Sequence, residues 1–157
     1  MNNASLINRL KEVLTEGTWV TGTNLLTVIR QTQWPQANQS VKGLNSIAQL
    51  TFHLTYYMIG VNDVLSGQPL TIRDQFSFDM PPLQSEADWI NLVDNFEKNA
   101  LILIDQVSRL SSKELDKDFA DKKYGTIRRN INVLIEHSYY HLGQMVLIQK
   151  MIKSNNK

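Results

Sequence analysis

Cysteine is absent from all 157 residues, so the chain has no disulfide framework, no thiolate metal ligand and no thiol nucleophile of its own. Excess charge is missing too, with 16 Lys and Arg against 15 Asp and Glu. That balance leaves no strong electrostatic bias, and nothing resembles the basic stripe needed to bind a phosphate backbone, so no nucleic-acid partner is expected. Lys150, Lys153 and Lys157 read instead as a solvated helix end that suits the macrodipole. Apolar runs are short: residues 100–104 fall far below the ~20 residues of a membrane span. Residues 1–5 lack the charged-then-apolar pattern of a signal peptide. We therefore expect no membrane partner and a cytoplasmic location. The length suits one domain, residues 1–157, large enough for a hydrophobic core.

Convincing strand patterns are also missing, and helical periodicity fills the space. Leu6, Leu10, Val13 and Leu14 give a first helix, which Gly17 and Gly22 should bend or break. Leu25, Val28 and Ile29 resume it. Residues 31–45 read as loop, punctuated by Pro35 and Gly43. A second helix starts near Ser46 and carries Ile47, Leu50, Leu54, Tyr57, Val61 and Leu65 on one stripe. Ser85-Glu86-Ala87-Asp88 is a near relative of the capping box and opens a third helix. That helix is lined by Trp89, Val93, Phe96, Ala100, Leu103 and Val107. Gly125-Thr126 leads into the last helix, with Ile131, Leu134, Ser138, His141, Met145, Ile148 and Ile152 in line.

Four amphipathic helices indicate an all-α fold, a four-helix bundle. Leu50, Leu54, Phe96, Ile104, Leu134 and Ile148 should be among its most buried residues. Antiparallel neighbours need only about 2–8 connecting residues, yet 18 residues, 67–84, separate the second and third helices. Extended, they reach ~60 Å, about twice a 20-residue helix. Either these helices run parallel across a long crossover, or the loop has local structure of its own.

Histidine is scarce, with three residues in all, and two sit four apart in Glu136-His137-Ser138-Tyr139-Tyr140-His141. On a helix this puts both rings on one face, about 5–6 Å apart at Cβ, close enough to share one ion. His53, between Leu50 and Leu54, falls on the inward side of the second helix. A buried imidazole there needs a partner, which a metal ion or a buried hydrogen bond supplies. A three-histidine site leaves a tetrahedral position open, as catalytic zinc sites do. Glu136 is a poor fourth ligand, projecting about 100° away from His137. No His-Glu-x-x-His motif, paired Glu-x-x-His motif or Gly-rich phosphate loop is present. All-imidazole ligation suits zinc or nickel, one divalent ion per chain. Binding needs neutral rings, so affinity should fall below about pH 6.5. Gln49 and Gln144 are positional candidates to orient the imidazoles, and Tyr57, Tyr140 and Trp19 are candidates to line a pocket. No catalytic acid or base can be named from the sequence.

At these residues the chain resembles the DinB-like superfamily of four-helix-bundle metalloproteins. Ser46-Ile47-Ala48-Gln49-Leu50-Thr51-Phe52-His53 looks like the family's ligand motif on its second helix, and His137-Ser138-Tyr139-Tyr140-His141-Leu142-Gly143-Gln144 looks like its final-helix motif. The resemblance implies an up-down-down-up bundle, a divalent metal on His53, His137 and His141, and often a homodimer. It implies metal-dependent transfer of an external low-molecular-weight thiol to a small-molecule substrate. Metal-dependent hydrolysis and a non-catalytic, metal-binding or dimerising stress protein are the alternatives. Many relatives carry an arginine where this chain has Leu142.

Overall fold

The fold follows from where the chain can start and stop helices. It was obtained as a computed structural model, which describes residues 3–155. Helix α1 (Asn3–Lys11) runs into a π-helical turn, Glu12–Glu16, that buries Val13 and Leu14. The turn ends at Gly17, where a Cβ would collide with the Glu12 backbone. Helix α2 (Leu25–Arg30) is capped by Asn24, whose side chain accepts the Thr27 N–H at 2.9 Å. A short α3 (Trp34–Ala37) lies inside the stretch read as loop. Pro35, taken as punctuation, sits in the first turn of this helix, where a missing N–H costs nothing.

Reciprocal capping boxes open the next two helices. Ser46 and Gln49 cap α4 (Ile47–Leu65), and Ser85 and Asp88 cap α5 (Glu86–Arg109). Each box satisfies two backbone donors that a helix start leaves orphaned. Helix α6 (Ser112–Leu115) precedes α7 (Ile127–Asn155). Among the described residues there is no strand, only an isolated bridge between Asp118 and Thr126. None of the described helices is long and apolar enough to cross a membrane.

Helix α4 packs along α5, and α7 closes the core against α4, α2 and α1. The six residues expected at the centre are all buried. Polar side chains fix the register between helices. Asn62 Nδ2 donates to the Asn99 carbonyl at 3.1 Å, and Gln106 Nε2 donates to Ser66 Oγ at 2.7 Å. Trp89 Nε1 donates to the Thr32 carbonyl at 3.0 Å, and Gln149 reaches Val28 and Thr32 from α7. Lys150 and Lys153 are exposed, as a solvated helix end requires. Lys157 and the first two of residues 1–5 lie outside the described residues.

The long connection has structure of its own, a 3-10 turn at Asp74–Phe76, and it is held onto α4. Tyr56 Oη accepts the Arg73 N–H at 2.8 Å and donates to the Arg73 carbonyl at 3.0 Å. Ile72 packs where a Cβ on Gly60 would stand. Any larger residue at position 60 would force the Ile72 side chain to shift.

Candidate metal centre

The face of α4 that buries Leu50 and Leu54 also carries His53 inward, and α7 carries His137 and His141 one turn apart. Their ring nitrogens meet. His53 Nε2 lies 3.1 Å from His137 Nε2, and His141 Nε2 lies 2.8 Å from the same atom. His53 and His141 are buried and His137 is half-buried.

The outer hydrogen bonds determine what these nitrogens offer. His53 Nδ1 lies 3.2 Å from the Ser77 carbonyl, which can only accept, so Nδ1 carries the proton. His141 Nδ1 lies 2.7 Å from Gln144 Oε1 and donates in the same way. A neutral ring protonated at Nδ1 bears a lone pair at Nε2. Two lone pairs therefore converge on His137 Nε2, and one proton there cannot fully satisfy both. A divalent cation between the rings satisfies all three. Two nitrogens on one tetrahedral zinc ion lie about 3.3 Å apart, given bonds of roughly 2.0–2.1 Å. The two spacings to His137 need only a small outward adjustment, and all three ligand atoms lie within 4.8 Å of one another. By donor chemistry and by distance, the three histidines fit a metal ion.

Electrostatics agrees with this arrangement. Burial, then the neighbouring His141, pushes His53 down to about 4. Burial, then His141 and His53, pushes His137 down to about 4. Burial lowers His141 as well, with the Gln144 bond opposing. All three rings are thus held neutral, the form that ligates metal.

The remaining candidates separate. Gln144 orients His141 directly. Tyr57 stands edge-on to His53 and His137, with ring centroids 5.0 and 5.3 Å away, and its hydroxyl donates to Asp74 Oδ1 at 3.0 Å. Tyr140 is 63 % exposed, its ring 4.9 Å from that of His141. Gln49 is spent on the α4 cap, where its Oε1 accepts the Ser46 N–H at 2.8 Å. Trp19 is 92 % exposed in the turn before α2, and no ring contact joins it to the histidines among the described residues. Glu136 is exposed, 3.7 Å from Arg129, and Leu142 is fully buried.

Three residues of the long connection complete the site without having been singled out by their sequence. Ser77 supplies the carbonyl on His53, Asp74 accepts the hydrogen bond of the Tyr57 hydroxyl, and Phe78 stacks on the His53 ring at 4.0 Å and 11°. Beside them lies a cleft of ≈ 530 Å³ with His137 and Tyr57 in its lining.

Fold and site thus define an all-helical protein with a three-histidine cluster able to hold a metal ion. A family model described as "Protein of unknown function (DUF1572)" matches residues 15–157, and the chain belongs to that family. No curated protein and no solved structure gives a match.

Because Gln144 fixes the His141 tautomer, Gln144→Leu should weaken metal affinity by about 10–100-fold, as loss of such outer partners does. Calorimetric titration with zinc checks this, and an unchanged Kd would remove Gln144 from the site.

Proposed function

We propose that this chain is a DinB-like metalloprotein that holds one divalent ion, zinc or nickel, on His53, His137 and His141. In this reading it uses the ion to transfer an external low-molecular-weight thiol to a small-molecule electrophile. The observation that carries the proposal is the pair of Nε2 lone pairs, fixed by Ser77 and Gln144, aimed at the third imidazole. A divalent ion acidifies a coordinating thiol, so that thiolate forms at neutral pH. With no cysteine in the chain, the sulfur has to arrive with a co-substrate. Ser77 and Gln144 hold the imidazoles in the ligating tautomer, Phe78 shields one face of His53 from water, and the cleft beside His137 gives small molecules access.

An up-down-down-up four-helix bundle is the arrangement we favour. The joints Asn62–Asn99 and Ser66–Gln106 advance together along α4 and α5, which supports a parallel pair. We also propose a homodimer, so sedimentation equilibrium should return twice the 18.0 kDa chain mass. A single-chain mass at micromolar concentration would refute it.

The activity test uses metal-loaded protein, a panel of thiols and an aryl halide. Thiolate displaces halide, so a C–S bond forms as the C–halogen bond breaks, and the thiol proton passes to solvent. We expect acceleration that requires both thiol and metal and that EDTA removes. Ester cleavage without thiol, rising towards pH ~7, would replace this reading with hydrolysis. Metal uptake without turnover across the panel would favour a binding protein.

A further inference from the structure

We propose that the cleft beside His137 binds an elongated apolar molecule with one anionic group, the apolar body against Ile72, Phe119 and Val133 and the charge on Arg73. Its use as a substrate pocket rests on the metal reading of the histidines; its occupancy does not.

Shape and chemistry carry the inference. The cleft, ≈ 530 Å³, is the size of small-molecule sites, and most of its wall is apolar. Val133 is 42 % exposed on that wall and Tyr124, also in the lining, is exposed too, so an apolar guest would remove both from water. Leu70, Phe119 and Tyr124 also line an adjoining hollow of ≈ 480 Å³ that extends to Gln68 and Lys123. Because the two hollows share these three residues, an elongated guest, a chain or a linear ring system, can extend from the first cleft along them.

Arg73 sets the charge. Its backbone is fastened to α4 by both bonds to Tyr56, so the guanidinium projects from a fixed base. Arg73 lines the cleft, and no carboxylate among the described residues forms an ion pair with it. Asp74, its sequence neighbour, lines the same cleft, and its Oδ1 accepts the Tyr57 hydroxyl at 3.0 Å rather than pairing with Arg73. An unpaired guanidinium at the edge of an apolar cavity is suited to a carboxylate, sulfonate or phosphate on an otherwise apolar body.

n-Alkyl sulfonates from butane- to octanesulfonate test this, because sulfonates are poor metal ligands and the histidines contribute little to their binding. Titrations followed by 1H–15N NMR should give an affinity rising about fourfold per methylene, with shifts centred on residues 70–73, 119–124 and 130–134. Arg73→Gln should weaken every member about tenfold while keeping the per-methylene increment. Val133→Asp, at an exposed position that does not threaten folding, should weaken the longer members most. An affinity independent of chain length, or shifts elsewhere, would overturn the pocket, and Arg73→Gln without effect would overturn the anion pairing. Metal content is measured on the same samples. Chain-length dependence without metal uptake supports the cleft and removes the metal reading. Metal uptake without chain-length dependence removes the cleft and leaves the metal reading standing.

Discussion

His53→Ala is expected to abolish the rise in melting temperature that zinc or nickel gives the unaltered protein. A ligand bound only by the folded state, at a free concentration 1,000-fold above Kd, stabilises by about 4.1 kcal/mol. For a chain of this size each kcal/mol moves Tm by about 2–4 °C, so the unaltered protein should gain roughly 8–16 °C. Without His53 the site loses one of three imidazoles and the only ligand from α4. His137 and His141 remain as a pair on one helix and cannot tie α7 to α4. Calorimetric melts with and without metal read the difference. A full metal-induced shift in His53→Ala would show that α4 takes no part in the site.

The same melts carry a pH dependence. Burial and the neighbouring His141 hold His53 at about 4, and His137 is held there too, below the ordinary value of about 6.5. The unfolded chain therefore takes up these protons first as pH falls. Metal-free stability from this source should be complete above about 6.5 and lost progressively towards about 4. Protons should also compete with metal at lower pH than free imidazole would allow, which moves the expected loss of affinity below 6.5. Flat stability from pH 7 to 4 would contradict the neutral, buried state of the rings.

Legibility in the sequence followed the range of each interaction. The histidines were readable because helical period alone places His137 beside His141 and sets His53 between Leu50 and Leu54. The α5 start was readable because Ser85 and Asp88 act across three residues. Gln49 shows how a correct local signal can be spent elsewhere. Ser46-x-x-Gln49 is itself a capping-box pattern, and the cap claims the side chain that metal orientation would have needed. Trp19 had no such pattern, and its exposure depends on how the turn before α2 leaves the core. Ser77 and Phe78 were unreadable for a different reason. They reach His53 from 24 and 25 residues away, through a loop whose path local propensity does not encode. Length was the available signal, since loops beyond about 12–15 residues are usually functional or disordered.

Leu54→Ala should separate the core from the site. Leu54 is 1 % exposed, so its truncation removes buried methyl groups and leaves a cavity, at a cost of about 2–5 kcal/mol. Against a total stability of about 5–15 kcal/mol, Tm should fall by roughly 4–20 °C. The ligating geometry should survive, because the bonds that orient the rings run to Ser77 and Gln144 and none involves the Leu54 side chain. Metal should then stabilise Leu54→Ala by the same increment as the unaltered protein, giving two melting curves offset in parallel at every metal concentration. A loss below about 1 kcal/mol would place Leu54 outside the packed core. If the metal increment vanished together with the stability, the imidazoles would be held by packing rather than by their outer hydrogen bonds. Gln144→Leu would then change affinity little, so the two substitutions check each other.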